Sequence, residues 1–168
     1  MLRFSYTFSV SGPDVQIRDP QCQHLNMSGG VNGELLLRGG ANMQRQLHDF
    51  LNEKRLRHVE PGFVMEIGPE PTHFKCIVYT VAIDGFYGSS IELVAASLCN
   101  AFDVLVSKGC RTVAVPALAT GYGPLRMSEF AQALHKCLAS QAWPFDEIRV
   151  VLRNEHDLNE FRDAYAAI

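Results

Sequence analysis

Two short stretches of this chain have the composition of anion-holding loops. The first is Ser28-Gly29-Gly30-Val31-Asn32-Gly33, set directly before the apolar run Leu35-Leu36-Leu37. The second is Ala119-Thr120-Gly121-Tyr122-Gly123-Pro124, which follows the apolar run Thr112 to Leu118. Glycine costs conformational entropy in ordered structure, so a cluster calls for a turn or a close approach of backbone to a ligand. Backbone N–H groups exposed by glycine at a helix N-terminus bind anions through hydrogen bonds and the helix dipole together. Two such loops facing each other would clamp a diphosphate. Neither is a phosphate loop of the G-K-[S/T] kind, and neither has the G-x-G-x-x-G spacing of a dinucleotide fold.

Other polar residues are weaker candidates. His24 and Asn26 precede the first glycine loop and could reach a ligand held there, although a surface loop is the commoner explanation for the histidine. Asp84 begins Asp84-Gly85-Phe86-Tyr87-Gly88, which reads first as an Asp-Gly turn, with Phe86 and Tyr87 available as one wall of a cleft. His48, His58, His73, His135 and His156 are accounted for by exposure or packing, and Trp143 by packing. Cys22, Cys76, Cys99, Cys110 and Cys137 are widely spaced with no C-x-x-C pair. Cys76, Cys99 and Cys137 fall in apolar patterns and read as small buried residues. No His, Cys or carboxylate cluster has metal-ligand spacing, so the sequence calls for no metal and no cofactor.

The elements that would position these loops follow from periodicity. Phe4, Tyr6, Phe8 and Val10 alternate with polar residues as in a strand with one buried face, and Val15 to Ile17 reads as a short second strand after the turn at Ser11 to Asp14. Residues 31–38 form a short helix closed by Gly39-Gly40, and 41–56 a helix with Met43, Leu47, Phe50 and Leu51 on one face. Phe63 to Ile67 and Phe74 to Ile83 are strands, the second apolar on both faces and so central in a covered sheet. Ser89-x-x-Glu92 has capping-box spacing before a helix over Ile91 to Val106. Thr112 to Leu118 is a buried strand that Pro116 should end, Ser128 to Ser140 a helix, Ile148 to Arg153 the last strand, and Asn154 the cap of a final helix. Strands alternating with helices predict an α/β fold with helices on both faces of the sheet, mixed because its start looks antiparallel.

With 168 residues, residues 1–168 are expected to form one domain. A hydrophobic content of 47% against 20% charged residues argues for folding throughout. The net charge of −3 supplies no basic field, which disfavours nucleic acid as the main partner. No window has the apolar length of a membrane span, and the N-terminus lacks a signal-peptide core, so a cytoplasmic location without a membrane partner is expected.

The order of these pieces resembles the macrodomain family: a G-G-V-[D/N]-G loop opening a helix, a buried Tyr79-Thr80-Val81 strand, then Val113-Ala114-Val115-Pro116-Ala117-Leu118-Ala119-Thr120-Gly121. The ending from Val150 to Phe161 is also similar, and the resemblance covers roughly residues 25 to 165. It implies a three-layer α/β/α sandwich around a central mixed sheet, with ADP-ribose or an ADP-ribosylated macromolecule as partner. By position, Ser28, Gly29, Gly30 and Val31 would line the diphosphate and distal ribose. Ala119, Thr120, Gly121, Tyr122 and Gly123 would form the opposite loop, with Tyr122 against ribose. Asp14 would contact the adenine amino group and Arg153 would stack on adenine.

Two departures bear on activity. Hydrolytic members carry N-A-A-N before the glycine loop, where this chain has Asp19-Pro20-Gln21-Cys22, and several have Asp where it has Asn32. A neutral amide cannot take a proton from water as a carboxylate does. Binding of ADP-ribose or ADP-ribosylated groups is therefore the first expectation. The alternative is an ADP-ribosyl hydrolase or an ADP-ribose 1''-phosphate phosphatase-like enzyme, with Asn32 as the catalytic candidate beside His24 and Asn26. A ligand-free interaction module on the same fold is the third.

Overall fold

The computed structural model describes residues 2–6, 24–27, 30–68 and 74–168. Among the described residues ten elements run in the order β1 (Leu2–Tyr6), α1 (Gly30–Gly39), α2 (Ala41–Lys54), β2 (Val64–Ile67), β3 (Ile77–Thr80), α3 (Ile91–Ser107), β4 (Thr112–Pro116), α4 (Met127–Ser140), β5 (Glu147–Leu152) and α5 (Glu155–Ala166). The predicted strand at 15–17 and the turn before it lie outside the described residues.

Parallel strands in the order β1-β5-β4 form one ladder, and β2 pairs antiparallel with β3. The pairings are thus mixed. β1 runs parallel to the last strand, a partner that no local turn can announce, while the antiparallel pairing expected at the start of the chain would involve residues 15–17, outside the described residues. The β2–β3 pairing also runs past its ladder: Gly62 N donates to Val81 O at 2.7 Å and Val81 N to Phe63 O at 2.9 Å. All four residues of β3 are buried, as expected of a strand covered on both faces. β5 instead alternates half-buried and buried positions.

The helices cover this framework with one apolar stripe each. In α2 the buried residues are Met43, Leu47 and Leu51, one turn apart, with Phe50 half-buried beside them. The helix ends two residues earlier than its apolar pattern suggests, because Arg55 adopts the left-handed conformation and its N–H returns to Leu51 O and Asn52 O. In α3, Val94, Leu98, Ala101, Phe102 and Leu105 face inward. Its cap is Ser90, whose side chain accepts from Leu93 N, and not Ser89. Ser89 Oγ is occupied in donating to Ala82 O at 2.6 Å, which leaves the capping role to Ser90 with the helix starting at Ile91 as expected. Asn154 caps α5 as predicted, accepting from Asp157 N at 2.9 Å. Trp143 is the packing anchor expected, lying against Phe102 and Phe145.

Gly33 lies inside α1, and a β-carbon built there meets nothing within 4 Å. Gly33→Ala is therefore expected to stabilise the fold by about 0.5–1 kcal/mol, since alanine loses less entropy in a helix. A denaturant titration at unchanged slope checks this, and a lower midpoint would contradict it.

Candidate functional site

In a parallel ladder the carboxyl ends of the strands open on one edge, where α/β folds place ligands. The register Pro116↔Val151 and Tyr6↔Leu152 sets the ends of β4, β5 and β1 side by side. The segment 117–126 leaves from β4 and Arg153 from β5 on that edge.

The loop after β4 is tightly built. Ala119 sits at φ 58, a left-handed conformation that a β-carbon makes costly. It is buried, and its carbonyl accepts from Leu125 N at 3.0 Å, closing a turn over residues 120–124. Thr120 Oγ1 donates to Ala117 O at 3.1 Å. A β-carbon at Gly123 would lie 2.5 Å from Ala119 O and 2.8 Å from Ala119 Cα, so glycine is needed there for close packing of backbone on backbone. Gly121 is exposed, and Tyr122 extends from the turn with 55% of its surface open. α4 begins immediately afterwards, with Arg126 N donating to Glu129 Oε2 at 2.7 Å. A strained non-glycine residue persists only where its surroundings enforce it, and such residues collect at binding sites.

The other glycine loop is described from Gly30 onward. Gly30 and Val31 are the first two residues of α1. Asn32, the catalytic candidate, is 0% exposed, so solvent has no direct route to its amide. Ser28, Gly29 and Asp14 lie outside the described residues. Arg153 stands exposed at the end of β5 with Nη2 3.4 Å from Asp157 Oδ2, free enough of packing for its guanidinium to meet a ring. The structure thus brings Ala119 to Gly123 and Arg153 to one edge.

Asp84 is a turn residue. Its carboxylate accepts from Phe86 N at 2.8 Å and Gly88 N at 2.6 Å, and Tyr87 takes φ 66. The consequence is a Phe86 ring held 94% in solvent. His24 is exposed, with Nδ1 2.9 Å from Arg57 O and its ring edge toward His58.

One constellation escaped the sequence. Gln44 on α2 grips the segment before the glycine loop by its backbone, accepting from Met27 N at 2.5 Å and donating to Leu25 O at 2.7 Å. His48, one turn on, places Nε2 2.8 Å from Asn26 Oδ1 and 2.9 Å from Gln44 Nε2. Leu25 adopts φ 55 in this grip, with Leu25 and Met27 both in the core. The i, i+4 spacing of Gln44 and His48 on the polar side of α2 was readable, but nothing local says which loop they meet. Gln44→Ala should leave two backbone groups without their partners, cost about 1–3 kcal/mol of stability, and loosen the approach to α1. Thermal unfolding alongside ligand titration checks it, and an unchanged melting temperature would contradict the clamp.

Among the described residues no group of three or more His, Cys, Asp or Glu could hold a metal ion. None of their helices is long and apolar enough to cross a membrane.

Comparison with known proteins gives the fold a family. The Macro domain family profile matches residues 21–134, more than half of the chain. A Macro domain-containing protein of Streptomyces griseus is 26% identical over 141 residues, 82% of this chain and 79% of its own. The Oceanobacillus iheyensis macrodomain with MES bound superposes at a TM-score of 0.83 and 18% identity over 99% of this chain and 90% of that one. A variant of that macrodomain with ADPR gives 0.80 at 19% identity, covering 95% and 87%. The Trypanosoma brucei macrodomain in complex with ADP-ribose gives 0.68 at 15% identity, covering 90% of this chain and 62% of the other. The layered fold, the strand-end loops and the matched span together establish that this chain is a member of the Macro domain family, with its three-layer α/β/α sandwich architecture.

Proposed function

We propose that this chain binds ADP-ribose or ADP-ribosyl groups on macromolecules. The observation that carries the reading is the turn over 119–124, where a left-handed Ala119 and a glycine packed on its backbone hold the loop at the carboxyl edge of the sheet. Such a turn keeps its shape without ligand, so its amides need little reorganisation to meet phosphate oxygens. Membership of the family and the ADP-ribose complexes of its structural neighbours support this ligand.

In this arrangement amides of Gly29, Gly30 and Val31, at and just before the start of α1, approach the diphosphate from one side and those of Thr120 to Gly123 from the other. Ser28 belongs to the same loop. Tyr122 lies against the distal ribose, Arg153 stacks on adenine, and Asp14 accepts from the adenine amino group. Asn32 shapes the loop from inside and takes no proton. The test is titration with ADP-ribose of the native chain against Tyr122→Ala and Arg153→Ala. Weakening by both supports the placement, and affinities equal to native for both would remove it.

A hydrolytic reading draws on the Asn26–His48 contact beside the glycine loop. The His48 ring and the Asn26 amide together could orient water at the distal ribose. Turnover of an ADP-ribosylated protein by the native chain and by Asn26→Ala decides it. Background release by both leaves binding as the function.

A further inference from the structure

α3 and α4 pack along one another, and each turns a cysteine into their contact. Cys99 Sγ lies 2.9 Å from Cys137 Sγ, and both are free thiols. Unbonded heavy atoms ordinarily rest about 3.5–4.0 Å apart, whereas a disulfide needs about 2.05 Å. The pair therefore stands closer than simple contact and less than about 1 Å from bonding distance. The two sulfurs differ in access. Cys137 is fully buried, backed by Trp143, whose Nε1 donates to Cys137 O at 2.9 Å. Cys99 is half-buried, and its sulfur lies 3.7 Å from Ser140 Oγ at the end of α4.

We propose that Cys99 and Cys137 are an oxidisable dithiol, converted by a low-molecular-weight disulfide of the glutathione class into an intramolecular bond joining α3 to α4. The Cys99 thiolate attacks one sulfur of the reagent, forming a mixed disulfide and expelling one small thiolate. The Cys137 thiolate then attacks Cys99 Sγ and expels the second. Two protein thiols lose two electrons, the reagent disulfide gains them, and the two thiol protons finish on the two released small thiols. Burial and the neighbouring Cys99 sulfur raise the Cys137 thiol above its ordinary range. The accessible Cys99 therefore makes the bimolecular attack, and Cys137 the intramolecular one, where proximity offsets a small thiolate fraction. Cys76 stays out of this exchange, its thiol pushed up to about 12 by burial and by the Glu66 carboxylate.

The experiment equilibrates the reduced full chain with oxidised glutathione and maps the digest without reduction. The expected product is a Cys99 peptide joined to a Cys137 peptide, and the oxidised chain melting about 5 °C or more higher, a shift absent in Cys99→Ser. A stable glutathione adduct on Cys99, a bond between other cysteines, or two thiols still free after equilibration would each overturn the assignment. The mapping uses native protein alone, so it stands even if a variant folds poorly.

Discussion

Replacing Gly30 by glutamate is expected to weaken ADP-ribose binding by 100-fold or more while leaving the fold as stable as before. The two effects have opposite physical origins. A carboxylate in the first turn of α1 faces the positive end of the helix dipole, which favours it by about 0.3–1 kcal/mol. The same carboxylate, beside a bound diphosphate, brings like charges together and fills the space through which the backbone approaches the phosphates. A loss of about 2.7 kcal/mol of binding free energy corresponds to the 100-fold change. If the glycines of this loop serve only a turn, Gly30→Glu leaves ligand binding at the level of a surface control. Calorimetry with paired thermal unfolding reads both quantities.

The second large effect is expected at Gly123, where a single added methyl group meets backbone. The β-carbon of Gly123→Ala would stand 2.5 Å from Ala119 O and 2.9 Å from Ala119 C, atoms that cannot rotate aside. The turn over 119–124 must open, at a cost of about 1–3 kcal/mol for overpacking, and its amides leave the positions from which they would meet phosphate. Affinity should fall at least tenfold together with the melting temperature. Tyr122→Ala provides the contrast: the side chain is largely exposed, so stability should stay within about 0.5 kcal/mol while affinity drops. Gly123→Ala with native stability and native affinity would contradict the packing argument.

What could be read from the residues is what local pattern determines. Met43, Leu47 and Leu51 announce α2 because a helix repeats its face every three to four residues. Pro116 announces the end of β4 because proline cannot donate to the ladder. The glycines and the order of the two loops placed the candidate site on strand ends, where the loop after β4 is found. What could not be read depends on partners far away in sequence. β1 pairs with β5 across most of the chain. Ser90 replaces Ser89 as a cap only because Ala82 O claims the first hydroxyl. Gln44 and His48 look like the solvated face of a helix until the segment 24–27 folds against them. Asn32 illustrates the same limit from the other side: its type suggested chemistry, but nothing in the local pattern announced that it is wholly buried.

The central claim is that the two glycine loops hold the diphosphate of ADP-ribose, and one titration tests it most directly. Purified chain is titrated calorimetrically with ADP-ribose, and separately with AMP and ribose 5-phosphate. A clamp across the diphosphate predicts saturable binding of the whole ligand at least 100-fold tighter than either fragment, a difference of about 2.7 kcal/mol. No detectable heat with ADP-ribose, together with an unchanged melting temperature at millimolar ligand, would contradict it.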